Sequence, residues 1–339
     1  MKSRVVLLAV VVVGGIATFV AAAQAEKTTS TTQDPVDKML LDARRHTVDH
    51  DYSGVVVVRW IDTDGAPHSE QAIVAYHDGV MEINDNGRVV ASTPDGLLLD
   101  GAAWSAAPSA ALSGASGASK KYDVSRAAGR TVAGRSTTVL DARRRGDHVL
   151  VERYYIDNTT GLVLRRESYD GAGAPERSFE FSQVWASANG AGLPPMQPAS
   201  TAPATGVHLV SGVEAPYHAP ARAGVGFHLV GRWQHPSSVV QLSYGDGLLS
   251  ASVFEQPGTL NWAALPSGGK QIAVRGNPGV AYSLPVGDAL VWERGGMVYT
   301  CVGDAPRAEL LSLAADVSRP GQDATYTRLA RVVLAPFRW

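Results

Sequence analysis

Few side chains in this 339-residue chain have the types and spacing that catalysis needs. The motifs G-x-S-x-G, H-E-x-x-H, the phosphate-binding Walker loop and C-x-x-C do not occur. One S-x-x-K occurs, at Ser267 and Lys270, but the two glycines between them indicate a turn, and the companion motifs S-D-N and K-T-G are absent. This motif is therefore interpreted as a plain loop.

Two pairs of histidines have a spacing that could suit a metal ion or proton transfer. His46 and His50 are four residues apart next to Asp51, which would place two ring nitrogens near one metal ion, but no third ligand is identifiable. A solvated pair near a helix C-terminus is the preferred interpretation. His228 and His235 flank a strand region and are interpreted as surface side chains rather than as a catalytic pair.

Three further features also favour structure over chemistry. The single Cys301 lies in an apolar strand, which predicts a buried and unreactive thiol. Gly224 and Gly226 lack the third glycine and the following helix of a dinucleotide-binding loop. Residues 141–145 (DARRR) predict a solvated turn, with contact to an acidic partner or to anionic lipid headgroups as the alternative. We therefore expect no catalytic residue, no metal and no cofactor.

The charge balance argues against nucleic acid as a partner. The chain has 30 basic and 32 acidic residues and a net charge of −2, so it lacks the basic character that nucleic-acid binding needs. Its 35 glycines and 19 prolines, with many Val, Thr, Tyr and Trp residues, favour short strands joined by tight turns. A lone cysteine cannot form an intramolecular disulfide, so packing must stabilise the fold.

The N-terminus has the pattern of an export signal. Lys2 and Arg4 precede an apolar run over residues 5–23, and residues 23–25 (AQA) form a small-x-small cleavage site. The run is also close to the ~20 residues that span a bilayer. Residues 1–25 are therefore predicted to be a signal peptide or an N-terminal membrane anchor, and the rest of the chain is predicted to work in the periplasm or cell envelope of a bacterium.

Residues 34–185 predict a strand-rich first domain. Asp34 as N-cap and Pro35 after it open a short amphipathic helix. Residues 55–60 (VVVVRW) are too apolar for a half-exposed strand and predict a core strand or a cavity wall. With them, further strands predict an antiparallel sheet of seven or more strands. These further strands are 71–76, 79–83, 88–92, 97–99, 131–140, 148–156, 162–167 and 177–184.

A linker and a smaller second domain follow. Residues 186–223 are rich in Pro, Ala and Gly and predict an interdomain linker. Residues 224–318 predict a small antiparallel sheet closed by a helix that starts at Asp304 and Pro306. Residues 319–339 predict a C-terminal amphipathic extension, either a packed helix or a helix on a membrane surface. The strands predicted here are 227–233, 239–244, 248–254, 271–275, 279–284, 289–293 and 297–302.

Several short segments follow one another in a distinctive order. In the first domain they are 52–57 (YSGVVV), 134–135 (GR) and 155–165 (YIDNTTGLVLR). In the second domain they are 227–232 (FHLVGR), 241–247 (QLSYGDG), 251–254 (ASVF) and 291–300 (VWERGGMVYT). Their order and spacing resemble the MucB/RseB family of extracytoplasmic sigma-factor regulators, and the resemblance covers nearly the whole mature chain.

The resemblance implies both a fold and a function. The first domain would be like LolA and LolB, an open antiparallel half-barrel over helices with an apolar cavity, and the class would be α+β. The protein would be no enzyme. It would bind the outer part of a membrane-spanning anti-sigma factor, shield it from proteolysis and release it on a lipid or lipoprotein signal. The apolar leader, if retained as an anchor, and residues 319–339 depart from the family pattern.

We therefore predict a negative regulator of a sigma-factor pathway that binds through an apolar concavity and a small domain. Val56, Val58 and Trp60 are the candidate cavity residues, with ordinary core as the alternative. A lipid or lipoprotein carrier that uses the same cavity stays open as a rival. An envelope hydrolase would need reactive groups that the sequence does not offer. The candidate partner-binding residues are Arg232, Trp233, Tyr244 and Trp292.

Overall fold

The computed structural model describes residues 51–77, 80–85, 88–93, 96–99, 102–104, 118–187, 208–214, 216–235, 238–285 and 287–318. These residues form two antiparallel sheets with a helix at the C-terminal end, which confirms the predicted α+β class. The predicted leader, the helix expected after Asp34, His46, His50 and the extension 319–339 lie outside the described residues.

The first sheet has eleven strands. They are β1 (Asp51–Ile61), β2 (Pro67–His77), β3 (Val80–Asp85), β4 (Arg88–Thr93), β5 (Gly96–Leu99), β6 (Ala102–Trp104), β7 (Tyr122–Ala128), β8 (Thr137–Arg144), β9 (Leu150–Asp157), β10 (Val163–Tyr169) and β11 (Pro175–Ser187). Their order is β6-β5-β4-β3-β2-β1-β11-β10-β9-β8-β7. β1 and β11, the first and last strands of this sheet along the chain, therefore pair with each other near the middle of the sheet.

The first sheet corrects one predicted strand and adds two that the sequence analysis does not predict, β6 and β7. A strand is predicted over 131–140, but β8 begins only at Thr137, because Ala133 and Gly134 have positive φ angles of 49° and 76° and turn the chain. β7 is missing from the predicted strands, since its residues are mostly polar or small and exposed and lack the apolar alternation of a half-buried strand. A one-turn helix, α1 (Ala118–Lys121), leads into β7.

The second sheet contains nine strands, seven that match those predicted for the small domain and two more, the first two below. They are β12 (His208–Leu209), β13 (Arg222–Ala223), β14 (Phe227–His235), β15 (Val239–Gly245), β16 (Ser250–Pro257), β17 (Lys270–Val274), β18 (Asn277–Leu284), β19 (Gly287–Arg294) and β20 (Met297–Gly303). The main path is β12-β14-β15-β16-β20-β19-β18-β17, and β13 pairs with β14. β12 and β13 lie within residues 186–223, so part of the predicted linker joins this sheet.

Helix α2 (Arg307–Val317) begins directly after Pro306, as predicted. Leu310, Leu313, Ala314 and Val317 are buried on the face that packs near β19 and β20. Since these residues recur at helical spacing, the apolar stripe specifies which side of the helix meets the sheet. In the part of the chain that the structure describes, no helix has the length and apolar character to cross a membrane.

One hydrophobic core joins the two sheets. Tyr122 and Tyr154 of the first sheet belong to the same buried cluster as Phe227 and Leu242 of the second. The contact is close at Gly247, where a Cβ atom would lie 2.4 Å from the backbone nitrogen of Ala118. The two predicted domains are therefore joined by a buried interface as well as by the chain between them.

Candidate binding faces

The first sheet carries an apolar cluster centred on β1, β2 and β11. Tyr52 and Tyr76 stack with ring centroids 5.5 Å apart, and Phe181 meets Tyr52 edge-on at 6.0 Å. We call this set the aromatic cluster. Its buried members are Tyr52, Val56, Val58, Val74, Tyr76, Val132, Tyr155, Leu162, Leu164 and Phe181.

Gly54 makes the aromatic packing possible. A Cβ atom at Gly54 would lie 2.5 Å from the Phe181 ring and 2.5 Å from the backbone oxygen of Gln183, so any side chain there would push β11 away. A β-bulge between Val55 and Val56 also shifts the register with β11. The segment 52–57 therefore positions Phe181 against Tyr52 through its backbone as much as through its side chains.

The three candidate cavity residues lie on one face of β1. Val56 and Val58 are buried members of the aromatic cluster, whereas Trp60 is half-buried at its border and stacks on His68 with ring centroids 5.2 Å apart. The sequence alternation does not tell which face of β1 points inward. In the structure, the side chains of the even-numbered residues lie on the buried face. Burial raises the pKa of the Tyr52 hydroxyl above its ordinary value.

The candidate partner-binding residues have different environments. Trp233, Tyr244 and Trp292 are buried in the second sheet, and Trp292 stacks on Tyr299 with centroids 5.1 Å apart. In this conformation they offer no side chain to a partner. Arg232 is half-buried, and its guanidinium donates to the backbone oxygen of Ser211 at 3.3 Å.

Lys121 forms the first of three ionic contacts between the sheets. Its ammonium donates to Asp246 at 2.6 Å and to Glu309 at 2.7 Å, and the Tyr122 hydroxyl donates to the same Asp246 oxygen at 2.6 Å. The other Asp246 oxygen accepts the backbone N–H of Leu249 at 2.8 Å. Asp246 therefore shapes the turn between β15 and β16 and binds the first sheet at once.

Arg166 and Arg177 form the other two contacts. Arg166 donates to Glu152 at 2.7 Å and to Asp304 of the second sheet at 2.7 Å. Arg177 pairs with Asp288 and donates to the Ser283 hydroxyl at 2.9 Å. All three contacts place a cation of the first sheet against a carboxylate of the second region. We call this set the ionic junction, formed by Lys121, Arg166 and Arg177 with Asp246, Glu309, Asp304 and Asp288.

A second set of charges crosses the first sheet from β1 to β8. We call this set the charge ladder: Arg59, Glu180, Arg165, Glu167, Arg153, Asp141 and Arg143. Neighbouring members alternate in sign, as in the bidentate contact of Arg153 with Asp141 at 2.6 and 2.7 Å. Arg130 joins from a loop and donates to Glu180 at 3.0 Å. Since directly opposed residues share a face of a sheet, the ladder stabilises the pairing of these strands.

The residues considered for chemistry are engaged structurally. Cys301 is buried, and burial raises the pKa of its thiol to about 12, which confirms the unreactive interpretation. His228 is exposed, as predicted, but His235 is buried and the surface interpretation is wrong for it. The His235 ring nitrogen lies 2.9 Å from the Gln241 side-chain oxygen, and burial lowers the pKa of the ring. Ser267 lies in a turn, as expected. The described residues contain no group of three potential metal ligands.

The arginines of residues 143–145 are not simply solvated. Arg144 donates to Asp147 at 3.1 Å and to the backbone oxygen of Gly171 at 3.0 Å, and it also approaches Glu309 of α2 at 3.6 Å. The predicted turn begins only after Arg144, the last residue of β8. The middle arginine therefore adds to the ionic junction.

The ionic junction is the feature that sequence reasoning missed. Asp246 stands between two glycines, a pattern typical of a turn, and Asp304 fits the predicted helix start, so each has a sufficient local role. The available signal was weak. Arg166 and Arg177 lie in strands otherwise rich in apolar and acidic residues, but nothing in the sequence pairs them with acids more than 100 positions away.

No protein-family model matches this chain, and no curated protein matches it either. Among solved structures, MucB in complex with MucA(peri) matches with a TM-score of 0.49 and 20% identity, over 84% of this chain and 98% of that chain. The MucA/MucB complex of Pseudomonas aeruginosa matches with a TM-score of 0.45 and 21% identity, over 85% and 99%. A domain described as an outer-membrane lipoprotein-sorting protein from Vibrio parahaemolyticus matches with a TM-score of 0.19 and 8% identity, over 47% and 93%.

Proposed function

We propose that this chain is an extracytoplasmic binding protein that holds the outer part of a membrane-spanning anti-sigma factor and so represses a sigma-factor pathway. The observation that carries the proposal is the position of the segments that resemble the MucB/RseB family. Segments 52–57 and 155–165 lie in the strands around the aromatic cluster, and segments 227–232, 241–247 and 291–300 build the second sheet. The segments that resemble the family therefore lie in strands of both sheets.

The state of the reactive side chains supports binding over catalysis. The Cys301 thiol is buried with a raised pKa, the His235 ring is held by Gln241, and the charges of the ionic junction neutralise one another. Groups held this way stabilise a scaffold and are poorly placed to attack a substrate. The proposed protein acts by occupancy: the partner is shielded while it is bound.

The proposal includes a location. Residues 1–25 direct export and are then cleaved or kept as an anchor, so the two sheets lie in the periplasm or cell envelope. Fractionation of cells that express the full chain, followed by N-terminal sequencing of the mature protein, tests this part. Recovery in the cytoplasm with Met1 intact would contradict it.

Affinity purification tests the partner. The full chain, tagged at its C-terminus and extracted from membranes in mild detergent, is expected to recover a one-span membrane protein with a cytoplasmic sigma-binding domain. The recombinant outer segment of that protein is then titrated against the full chain by calorimetry. Failure to recover such a protein, with an exported tagged control protein run in parallel, would overturn the proposal.

A second function is favoured by the aromatic cluster alone. Tyr52, Tyr76 and Phe181 lie beside aliphatic side chains in a buried cluster. If the sheet opened at this cluster, it would offer acyl chains an apolar site, so the chain could carry a lipid or lipoprotein, or sense one as the trigger for release. Mass spectrometry of lipid that co-purifies, together with transfer between vesicles, separates the two roles. Lipid transfer without anti-sigma binding would favour a carrier, whereas lipid that displaces the bound anti-sigma segment would favour a sensor.

A further inference from the structure

β7 (Tyr122–Ala128) is an edge strand with one unpaired side. It is the last strand in the order of the first sheet and pairs with β8 from Tyr122 opposite Arg144 to Ala128 opposite Thr138, without a register shift. No described strand pairs with its other side. An edge of this kind can accept an additional strand from another chain.

The hydrogen bonds at the two ends of β7 show which amide groups face outward. The oxygen of Lys121 accepts the N–H of Arg145 at 2.9 Å, and the N–H of Gly129 donates to Thr137 at 2.9 Å. Antiparallel strands alternate between hydrogen-bonded and non-hydrogen-bonded pairs, so odd-numbered residues bond to β8 and even-numbered residues face away. The residues of β7 whose N–H and C=O groups face away from the sheet are Tyr122, Val124, Arg126 and Ala128. The Tyr122 oxygen accepts the Nε–H of Arg145 at 3.3 Å, so both groups stay available at Val124, Arg126 and Ala128.

β7 lacks most of the features that usually prevent an edge strand from pairing with a strand of another chain. It has no proline and no bulge, and Ser125, Ala127 and Ala128 are small and exposed. The edge strand β17 of the second sheet is less suited to accept an additional strand, because it has five residues and lies near helix α2. β7, with seven residues, offers the longer regular edge.

The charges around β7 are mostly positive. Arg126 is exposed and has no ion pair with any described residue, while Arg130 and Arg145, each with a side chain 50% exposed, hold single acids at 3.0 and 3.1 Å. Asp123 is the acidic residue of the strand. A partner strand that bears acidic side chains would therefore be favoured over a neutral or basic one.

We propose that β7 binds an extended acidic segment of the protein partner as an additional strand of the first sheet. Backbone hydrogen bonds at Val124, Arg126 and Ala128 supply affinity, and the surrounding arginines select acidic side chains. This inference rests on the proposed function, since it names how the anti-sigma segment is held. It is also independent of the aromatic cluster, which lies around β1.

Hydrogen exchange tests the binding mode directly. The probe is the recombinant outer segment of the anti-sigma factor that the full chain recovers. In the complex, the amides of Val124, Arg126 and Ala128 are expected to exchange on the order of tenfold more slowly, whereas those of Ser125 and Ala127, already bonded to β8, change little. Binding without added protection at the even-numbered amides would overturn the inference and leave the proposed function standing.

Two substitutions at one position separate backbone from charge. Arg126→Pro removes an outward N–H and the charge, and Arg126→Ala removes the charge alone. We expect Arg126→Pro to weaken binding by on the order of tenfold or more and Arg126→Ala by less. Equal affinity of a folded Arg126→Pro variant and the wild type would contradict the inference; if that variant does not fold, wild-type exchange decides.

The remaining outcomes are also informative. Absence of binding by the wild type would sink the proposed function and this inference together. Protection of β7 by vesicles with anionic lipid, but not by the recombinant segment, would assign the arginines to a membrane and overturn the peptide mode. A second copy of the chain at β7 would appear as concentration-dependent protection without added partner and would overturn it as well.

Discussion

The ionic junction and the charge ladder use the same chemistry at different depths. At the junction, the side chains of Asp246 and Asp288 are fully buried and that of Arg177 is 6% exposed. On the ladder, Arg59 and Arg130 are 53% and 50% exposed. The central ladder residues Arg165 and Glu167 are 17% and 13% exposed, close to Arg166 and Asp304 of the junction at 14% and 12%. Water therefore screens the ion pairs of Arg59 and Arg130 far more than the pair of Arg177 with Asp288, so these ion pairs should contribute very unequally to stability.

The difference also separates two roles. Ladder pairs join neighbouring strands of one sheet, where backbone hydrogen bonds already hold the partners in register. Junction pairs join regions more than 100 residues apart, where no backbone ladder exists. The buried pairs therefore specify how the two sheets are placed against each other, and the exposed pairs adjust a pairing that exists without them.

The largest expected effect comes from breaking the junction. Asp288→Ala leaves Arg177 buried and removes the partner of Arg307, so the free energy of unfolding should fall by about 3–5 kcal/mol. Urea denaturation followed by tryptophan fluorescence measures it. Asp288→Asn keeps the volume and one acceptor and should cost less. A loss below about 1 kcal/mol for Asp288→Ala would show that the junction is not the buried ionic contact described.

A buried carboxyl without a cation sharpens the comparison. Glu255 is buried in β16, accepts the backbone N–H of His218 at 3.0 Å, and has one oxygen without a hydrogen-bond partner among the described residues. Burial raises the pKa of this carboxyl to about 8. The folded state therefore holds a proton that the unfolded chain releases near its ordinary pKa of 4.5.

Stability should consequently depend on pH through Glu255. The folded chain binds more protons than the unfolded chain between about pH 4.5 and 8, so the free energy of unfolding falls as pH rises through that window. Glu255→Gln should remove this slope, with a gain of about 3–5 kcal/mol at pH 8.5 and little change at pH 4. Denaturation at both pH values measures it. An unchanged slope in the variant would contradict the assignment.

The smallest expected effect comes from the ladder. Arg130→Ala and Glu180→Ala, made singly and together, should give a coupling free energy of about 0.2–1 kcal/mol that falls in 0.5 M salt. A double-mutant cycle by chemical denaturation measures this value. A coupling as large as the loss in Asp288→Ala would erase the distinction between the two sets of charges.

Local pattern predicted most strands and the helix after Pro306, because alternation, turn glycines and capping are properties of a few adjacent residues. It failed for β7, whose residues 122–128 are exposed and polar, and for residues 131–136, where positive φ angles replace an apparent strand. Periodicity reports burial on one face, and an edge strand that is exposed on both faces carries no such signal.

The candidate site shows the same limit. Val56, Val58 and Trp60 are predicted as cavity residues, and the sequence pattern could not say which face of their strand points inward; the structure places Val56 and Val58 in the buried aromatic cluster. Trp233, Tyr244 and Trp292 were chosen as large aromatics in family-like segments, and the structure places them in the core of the second sheet. Aromatic residues serve cores and interfaces alike, so their type alone cannot separate the two.

The sequence by itself determined the strand-rich class, the positions of most strands along the chain and the lack of a recognisable catalytic motif, because hydrophobic periodicity and turn chemistry act over short distances. The tertiary structure alone decided that Lys121, Arg166 and Arg177 meet acids of the second region and that β7 has no strand on its outer side among the described residues. Those features depend on contacts between residues far apart along the chain, and such contacts leave no local pattern to read.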